Sequence, residues 1–197
     1  VDKEINNLKI SKIHIKAIIK ICANSFANND LIILPDYNKG MLDEELIKKI
    51  IKLANKMGKM IIADPKKIDL SLFSCADVIT PNQKEITDAS GFKYLSEKKM
   101  IEFAIKILTK NNIKNILITR SEKGMLLISK NRVKKFKAIA TKVSDVTGAG
   151  DTVIGVLSLM LALGLDMDSS IEMSIYAASI VIGKNGTETI KLREFYN

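Results

Sequence analysis

Apolar and polar positions follow two rhythms along this chain. Short apolar runs of strand length appear in "DLIILPD", "KMIIADP", "ADVITPN" and "NILITR", and "GMLLIS" with "RVKKFK" predicts a further pair of strands. Between them, apolar residues recur at helical spacing. Asp43 to Met57 places Leu46, Ile50, Leu53, Ala54 and Met57 on one face, and Gly58 follows as a stop signal. Glu97 to Asn111 does the same with Met100, Ile101, Ala104, Ile107 and Leu108. "SKIHIKAIIK" reads as helix, and two more helical runs span Ala149–Leu163 and Ser169–Ile182. Strands alternating with helices predict an α/β layered fold with a largely parallel sheet. No repeat, low-complexity linker or domain boundary interrupts the pattern.

The three prolines sharpen it. "LILPD", "IADPK" and "VITPN" each put proline at a strand end, where a residue without an N–H costs the ladder nothing. Each is flanked by polar residues: Asp36; Asp64 with Lys66; Asn82 with Glu85. Open α/β sheets bind ligands outside the carboxyl ends of their strands. Three polar clusters at three such ends outline a candidate site.

Composition changes the picture only in places. The 197 residues are 47% hydrophobic, which suits a globular core and argues against disorder. No apolar run reaches membrane-spanning length, and "VDKEINNLKI" does not read as a signal peptide, so a cytoplasmic protein is expected. Cys22 and Cys75 form no C-x-x-C pattern and are expected to be buried, reduced thiols. His14 is the only histidine, which leaves little for a Ser-His-Asp triad or a histidine metal site. The net charge of +9 invites a nucleic-acid reading, but only Arg120, Arg132 and Arg193 among the 31 basic residues are arginine. The lysines are scattered along helices without interleaved aromatics, so a solvated surface is expected, with no nucleic-acid or membrane partner. Anionic substrates gain from the positive field.

The stretch "SDVTGAGDTVIG" carries the most chemistry. Gly148 and Gly150 permit backbone conformations closed to other residues, and Ala149 between them blocks no approach. At a helix start the free first-turn N–H groups and the helix dipole make a phosphate pocket. Asp151 beside that pocket is placed to accept a proton from a hydroxyl attacking a phosphoryl group. A bare glycine turn with an acidic capping residue has the same spelling, and the stretch is neither a Walker A loop nor G-x-G-x-x-G. "TPNQKE" puts Asn82 and Glu85 one helical turn apart at a strand-to-helix junction. That pair suits a hydrated Mg²⁺ and equally an N-capping box. "TRSEKGMLLI" sets Thr119, Ser121 and Gly124 just past another strand end, suited to nucleotide contact or to a polar hairpin turn.

Taken in order, "TPNQKE", "LITRSEKGM" and "DVTGAGDTVIG" resemble the ribokinase-like (PfkB) carbohydrate kinases over essentially the whole chain. "DYNKGML", "IADPK" and "IVIGKNGTETI" look like the kinase domain of bifunctional heptose enzymes within that family. The resemblance implies a three-layer ribokinase-like fold, ATP and Mg²⁺ as cofactors, and a homodimer in the full-length family member. The implied reaction is phosphorylation of D-glycero-β-D-manno-heptose 7-phosphate at O1. It makes Asp151 the catalytic base and the amides of Gly148, Ala149 and Gly150 an anion hole. Asn82, Gln83, Lys84 and Glu85 fall in the ATP region, with Glu85 and Asn82 toward Mg²⁺ through water. Thr119, Ser121 and Gly124 lie along the nucleotide; Asp36, Lys39, Asp64 and Lys66 are candidates for sugar or phosphate contact.

The chain departs from the family pattern as well. Residues 1–197 read as one kinase domain without the family's glycine-rich sugar motif and β lid, and without the adenylyltransferase half. Ile175 and Ser179 stand where the subfamily usually has Asn and Gly, and Lys67 stands for a Gly. A raw sheet edge, exposed apolar surface and weak or absent activity are therefore expected. The alternatives are another sugar or nucleoside kinase of the same fold, or a remnant that only binds nucleotide.

Overall fold

The computed structural model describes residues 10–140, 144–186 and 188–195. The start of "VDKEINNLKI" and Thr187 of the "NGTETI" motif lie outside the described residues. The order is α1 (Lys12–Ala27), β1 (Leu31–Pro35), α2 (Glu44–Lys56), β2 (Met60–Asp64), β3 (Val78–Ile79), α3 (Gln83–Ser90) and α4 (Glu97–Lys110). It continues with β4 (Asn115–Thr119), β5 (Met125–Ser129), β6 (Arg132–Phe136), α5 (Ala149–Ala162) and α6 (Met167–Val181). Short 3-10 turns occupy Leu70–Phe73, Ser121–Lys123 and Leu192–Phe195.

The six strands form one sheet in the order β1-β2-β3-β4-β5-β6. β1 to β4 run parallel, with Leu31 opposite Met60, Ile62 opposite Val78, and Val78 opposite Asn115. Their burial follows from that arrangement. The three central residues of β2 and of β4 are all buried, as expected for strands covered on both faces. β1 alternates, with Ile32 and Leu34 buried and Ile33 exposed, as suits an edge strand. Pro35 is the last residue of β1, Pro65 directly follows β2, and Pro81 comes one residue later than expected. Thr80 intervenes, and its N–H still donates to the Ala63 carbonyl at 3.0 Å.

The described chain divides into two units. The first runs to Ile118 and takes in Ile128–Val133; the second comprises Thr119–Leu127 and the chain from Lys134 onward. In the first unit α2 packs on β2 and on the 3-10 turn at Leu70–Phe73, α1 packs on α2, and α3 on α4. α2 spans almost the expected residues because its caps are the ends named above. Asp43 Oδ1 accepts from the Leu46 N–H at 2.7 Å, and Gly58 follows in the left-handed region at φ 65°. Leu46, Ile47, Ile50, Ile51 and Ala54 are buried on its inner face. Each of the larger ones stabilises the fold by about 1.5–3 kcal/mol relative to exposure. In α4, Met100, Ala104 and Leu108 are buried, at the expected spacing. In the second unit α5 and α6 pack along each other.

The cysteines differ from expectation. Both thiols are free, but Cys22 is half-buried and Cys75 is exposed. Cys75 sits at φ 66° in the turn that enters β3. Its N–H donates to the Asn111 carbonyl and its own carbonyl accepts from Asn55 Nδ2, so the main chain is tied down while the thiol faces outward.

Candidate functional site: strand-end carboxylates and a glycine-capped helix

In the first unit, the polar residues after β1, β2 and β3 meet at the carboxyl edge of the parallel strands. Asp36 is 2% exposed; its N–H donates to the Asp64 carbonyl and its Oδ1 accepts from the Asn38 N–H at 2.8 Å. This tight turn leaves Asn38 at φ 53° and Lys39 on the surface. Asp64, the last residue of β2, places Oδ1 3.2 Å from the Thr80 hydroxyl, which donates to it, and Oδ2 3.2 Å from Lys66 Nζ. The same ammonium lies 2.8 Å from Glu85 Oε1. Glu85 Oε2 accepts from the Asn82 N–H at 2.7 Å, and Asn82 Oδ1 accepts from the Glu85 N–H at 2.8 Å. Asn82 and Glu85 therefore do form the capping box of α3. Lys84 turns away from this network and pairs with Asp88 on an exposed face of α3, so it does not join Glu85 at the cluster. Gln83 opens α3, its carbonyl accepting from Thr87 Oγ1.

Electrostatics follow from this geometry. Burial pushes the Asp64 carboxyl above the usual carboxylate range; the Lys66 ammonium pulls it back in part, Glu85 adds to the rise, and the Thr80 hydroxyl counters it. Burial works against the Lys66 charge too, but the Glu85 hydrogen bond and the two carboxylate charges outweigh it and hold Lys66 protonated beyond the ordinary lysine range. Lys66 lies closer to Glu85 than to Asp64, and burial, the largest influence on Asp64, keeps its carboxyl raised despite the ion pair. Thr80 is a participant that pattern reading missed; the only sign was a hydroxyl directly before "PN".

In the second unit, Thr119 closes β4, and Arg120 to Gly124 fold into a tight turn. The Arg120 N–H donates to the Gly124 carbonyl, the Gly124 N–H to the Ser121 carbonyl, and Arg120 Nη2 to the Lys123 carbonyl. Ser121 is exposed at φ 50°. Gly124, at φ 74°, has a structural reason to be glycine: a Cβ there would collide with the main chain of Phe136, Lys137 and Ala138.

The glycine-rich stretch of the same unit is anchored from behind. The Ser144 and Asp145 N–H groups donate to the Ile182 carbonyl at the end of α6, at 2.8 and 3.2 Å. Asp145 Oδ1 accepts from the Thr147 N–H at 2.8 Å. Hydrogen bonding from the Thr147 side chain and from this N–H holds that exposed carboxyl below its ordinary range. Gly148, at φ 78°, turns the chain into α5, and its carbonyl accepts from both the N–H and the hydroxyl of Thr152 at 2.9 Å. Ala149 differs from expectation: its N–H donates to the Val146 carbonyl at 3.2 Å, because the turn into the helix closes on it. Among the described residues the Gly148 and Gly150 amides make no hydrogen bond. A Cβ on Gly150 would meet nothing within 4 Å. Asp151 stands exposed in the first turn. This arrangement offers two open amides, clear space and a carboxylate at the positive end of a 14-residue helix.

The second unit also holds a cavity of about 250 Å³ lined by Lys134, Lys135, Phe136, Lys137, Ile139, Glu172 and Ile175. Among the described residues no group of three or more His, Cys, Asp or Glu side chains is placed to hold a metal directly. No helix of the described residues is long and apolar enough to cross a membrane.

A ribokinase-type carbohydrate kinase is the class that these features define. The family profile described as "pfkB family carbohydrate kinase" matches residues 10–193, and the chain belongs to that family. It is 40% identical over 181 residues to the bifunctional protein HldE of Campylobacter fetus, covering 91% of this chain and 39% of that protein. Against the HldE of Helicobacter pylori the identity is 40% over 98% of this chain and 42% of that protein. The chain thus spans about two fifths of the length of the curated relatives it matches. Among solved structures it resembles phosphofructokinase-2 from Escherichia coli, with TM-score 0.83 at 17% identity over 95% of this chain and 62% of that one. Ribokinase from Thermotoga maritima gives TM-score 0.72 at 24% identity over 88% and 58%. The fold is ribokinase-like.

Proposed function

We propose that this chain is a heptose kinase: it transfers the γ-phosphoryl group of ATP to O1 of D-glycero-β-D-manno-heptose 7-phosphate, giving the 1,7-bisphosphate of the ADP-heptose and lipopolysaccharide core route. The observation that carries the reading is the start of α5, where Asp151 stands beside the open Gly148 and Gly150 amides. The likeness to HldE proteins supports the heptose substrate.

Asp151 accepts the O1 proton as that oxygen forms its bond to the γ-phosphorus, while the bond from phosphorus to the β–γ bridging oxygen breaks and ADP leaves. Amides at the positive end of α5 stabilise the charge that builds on the transferring group. Thr119, Ser121 and Gly124 line the nucleotide; Asp36, Lys39, Asp64 and Lys66 serve the sugar and its phosphate, where lysine suits a phosphate group. Mg²⁺ supplies charge neutralisation on the phosphates, and oxygen donors such as Glu85 and Asn82, acting through water, fit it. The protein works in the cytoplasm on small molecules, as a homodimer in its full-length form, and the excess of lysine attracts anionic substrates rather than nucleic acid.

The test is transfer of labelled phosphate from ATP to heptose 7-phosphate, run beside fructose 6-phosphate, ribose and a nucleoside. Weak transfer that prefers the heptose phosphate and is lost in Asp151→Asn is the expected result. Preference for another acceptor moves the chain elsewhere in the family, and unchanged turnover in Asp151→Asn overturns the base assignment.

A further inference from the structure

Behind the glycine-rich stretch of the second unit, the end of α6 is clamped. α6 stops at Val181 and tightens into one more turn: the Gly183 N–H donates to the Ile180 carbonyl at 3.3 Å, and the Lys184 N–H to the Val181 carbonyl at 3.0 Å. The Ile182 carbonyl lies past the helix's own ladder and accepts from both the Ser144 and the Asp145 N–H groups. Those two residues lead into Gly148 and Asp151. Just beyond Ile182, Lys184 Nζ lies 2.8 Å from Glu194 Oε2 and donates to the Thr189 carbonyl at 2.9 Å. Glu194 Oε2 also accepts from the Lys191 N–H at 2.7 Å, and the Glu194 N–H donates to the Lys191 carbonyl at 2.8 Å. The Glu194 carbonyl accepts from the Tyr176 hydroxyl at 3.4 Å, and the Phe195 ring packs tilted on the Tyr176 ring with centroids 6.2 Å apart. The 3-10 turn Leu192–Phe195 is therefore tied both to the body of α6 and to the turn that ends it. Chain ends fray unless they are tied down in this way. The Lys184 side chain is 21% exposed and that of Glu194 25%, so water screens this pair less than a pair on the open surface.

We propose that Lys184 and Glu194 are positioning residues for the glycine-capped start of α5: their ion pair locks the turn that ends α6 and, through the Ile182 carbonyl, fixes the backbone from Ser144 to Asp151. The proposal rests on the kinase reading for its purpose, though not for its test. A turn that loosens at Lys184 carries the Ile182 carbonyl with it, and Ser144 and Asp145 then lose the acceptor that sets where the Gly148 amide and the Asp151 carboxylate stand. A displacement of about 1 Å at such a site costs on the order of 10²-fold in rate, so a clamp that merely holds backbone has leverage on turnover.

Amide hydrogen exchange, read by NMR on the full chain without ligand, is the first measurement. In Lys184→Met the Ser144 and Asp145 amides are expected to exchange on the order of tenfold faster than in the parent, while those of Val156 and Leu157 in α5 and of Ile61 and Ile62 in β2 keep the parent rates. Glu194→Gln keeps the size and an acceptor for the Lys191 N–H and removes only the charge. It is expected to give the same change, and decides the matter if the methionine variant fails to fold. Lys184→Arg keeps the pair and is expected to return the parent rates. Lys184→Met combined with Glu194→Gln is expected to exchange no faster than Lys184→Met alone, as partners in one pair should. Unchanged exchange at Ser144 and Asp145 overturns the proposal, as does an equal acceleration at Val156 and Leu157, which marks a general loss of stability. Phosphoryl transfer is the second measurement. In Lys184→Met kcat is expected to fall about tenfold with KM for ATP and sugar within about twofold of the parent, and Lys184→Arg to recover it. A raised KM with kcat kept overturns the positioning role. The exchange pattern without transfer by the parent refutes the kinase reading and leaves the clamp standing; transfer by the parent without the exchange pattern refutes the clamp alone.

Discussion

The strand-end cluster and the start of α5 are built on opposite plans. Around Asp64, Lys66, Asn82 and Glu85, both oxygens of each carboxylate and the Asn82 side-chain oxygen have partners within the protein. At α5, two glycine amides make no bond among the described residues, and the space beside Gly150 is clear. A saturated network fixes geometry ahead of any ligand and is worth most when complete. An open helix start leaves binding free energy for an anion. The first region is therefore expected to answer to mutation mainly through stability and substrate affinity, the second mainly through turnover.

Asp151→Asn is the largest test of that contrast. It removes a proton acceptor and a negative charge from the positive end of α5, and is expected to lower turnover by roughly 10²–10⁴-fold with a loss of only about 0.3–1 kcal/mol of stability, measured by phosphoryl transfer and calorimetry together. Gly124→Ala probes a glycine whose reason is packing. A Cβ there meets main chain rather than flexible side chains, so a loss of about 3 kcal/mol in urea unfolding is expected. Full stability in that variant would show that the Phe136–Ala138 strand end gives way easily. Asn82→Ala breaks the capping box from one side, and about 1 kcal/mol of stability should go with it.

Gly150→Ala is the finest probe of the open region. The new methyl meets nothing in the chain, and Ala is the better helix former by about 0.5–1 kcal/mol. A protein as stable as the parent or slightly more so, with weakened ATP binding in calorimetric titration, is the expected pair of results. The smallest effect is a slope with pH. The folded state raises the Asp64 pKa, so stability tied to this group is highest below its unfolded value and falls as pH rises through the raised one. Urea midpoints followed from acid to neutral pH should lose that fall in Asp64→Asn. They should show more of it in Lys66→Met, where the ammonium no longer pulls the pKa back.

Much of this was legible before any coordinates. α2 and α4 carry their apolar faces at the spacing their sequences spell, and Asp43 and Gly58 mark ends that capping chemistry requires. The capping box of Asn82 and Glu85 was legible as well, from a spacing that suits a capping box and a ligand pair alike. Lys84 shares a motif with Asn82 and Glu85 but stands outside their network. On α3 the side chain four residues on, Asp88, is the nearer partner. Ala149 was misplaced for a related reason. Pattern shows that helix-start amides exist, whereas the turn geometry decides which of them is spent on Val146. Cys75 was expected inside because cysteine usually is. Its left-handed backbone, set by hydrogen bonds to Asn55 and Asn111, turns it outward.

Sequence by itself determined the α/β class, the alternation of strands and helices, the ends of α2, the family, and the short motifs that carry the resemblance to it. These depend on periodicity, on capping and on residue types at fixed offsets, all of which are local in the chain. Tertiary structure alone decided that Lys66 reaches Glu85 across 19 residues of sequence and ties it to Asp64, that Thr80 joins them, and that Gly124 is held by the main chain at Phe136–Ala138. Such pairings follow from which strand lies beside which and in what register. Parallel strands bring together the ends of segments that share no local signal.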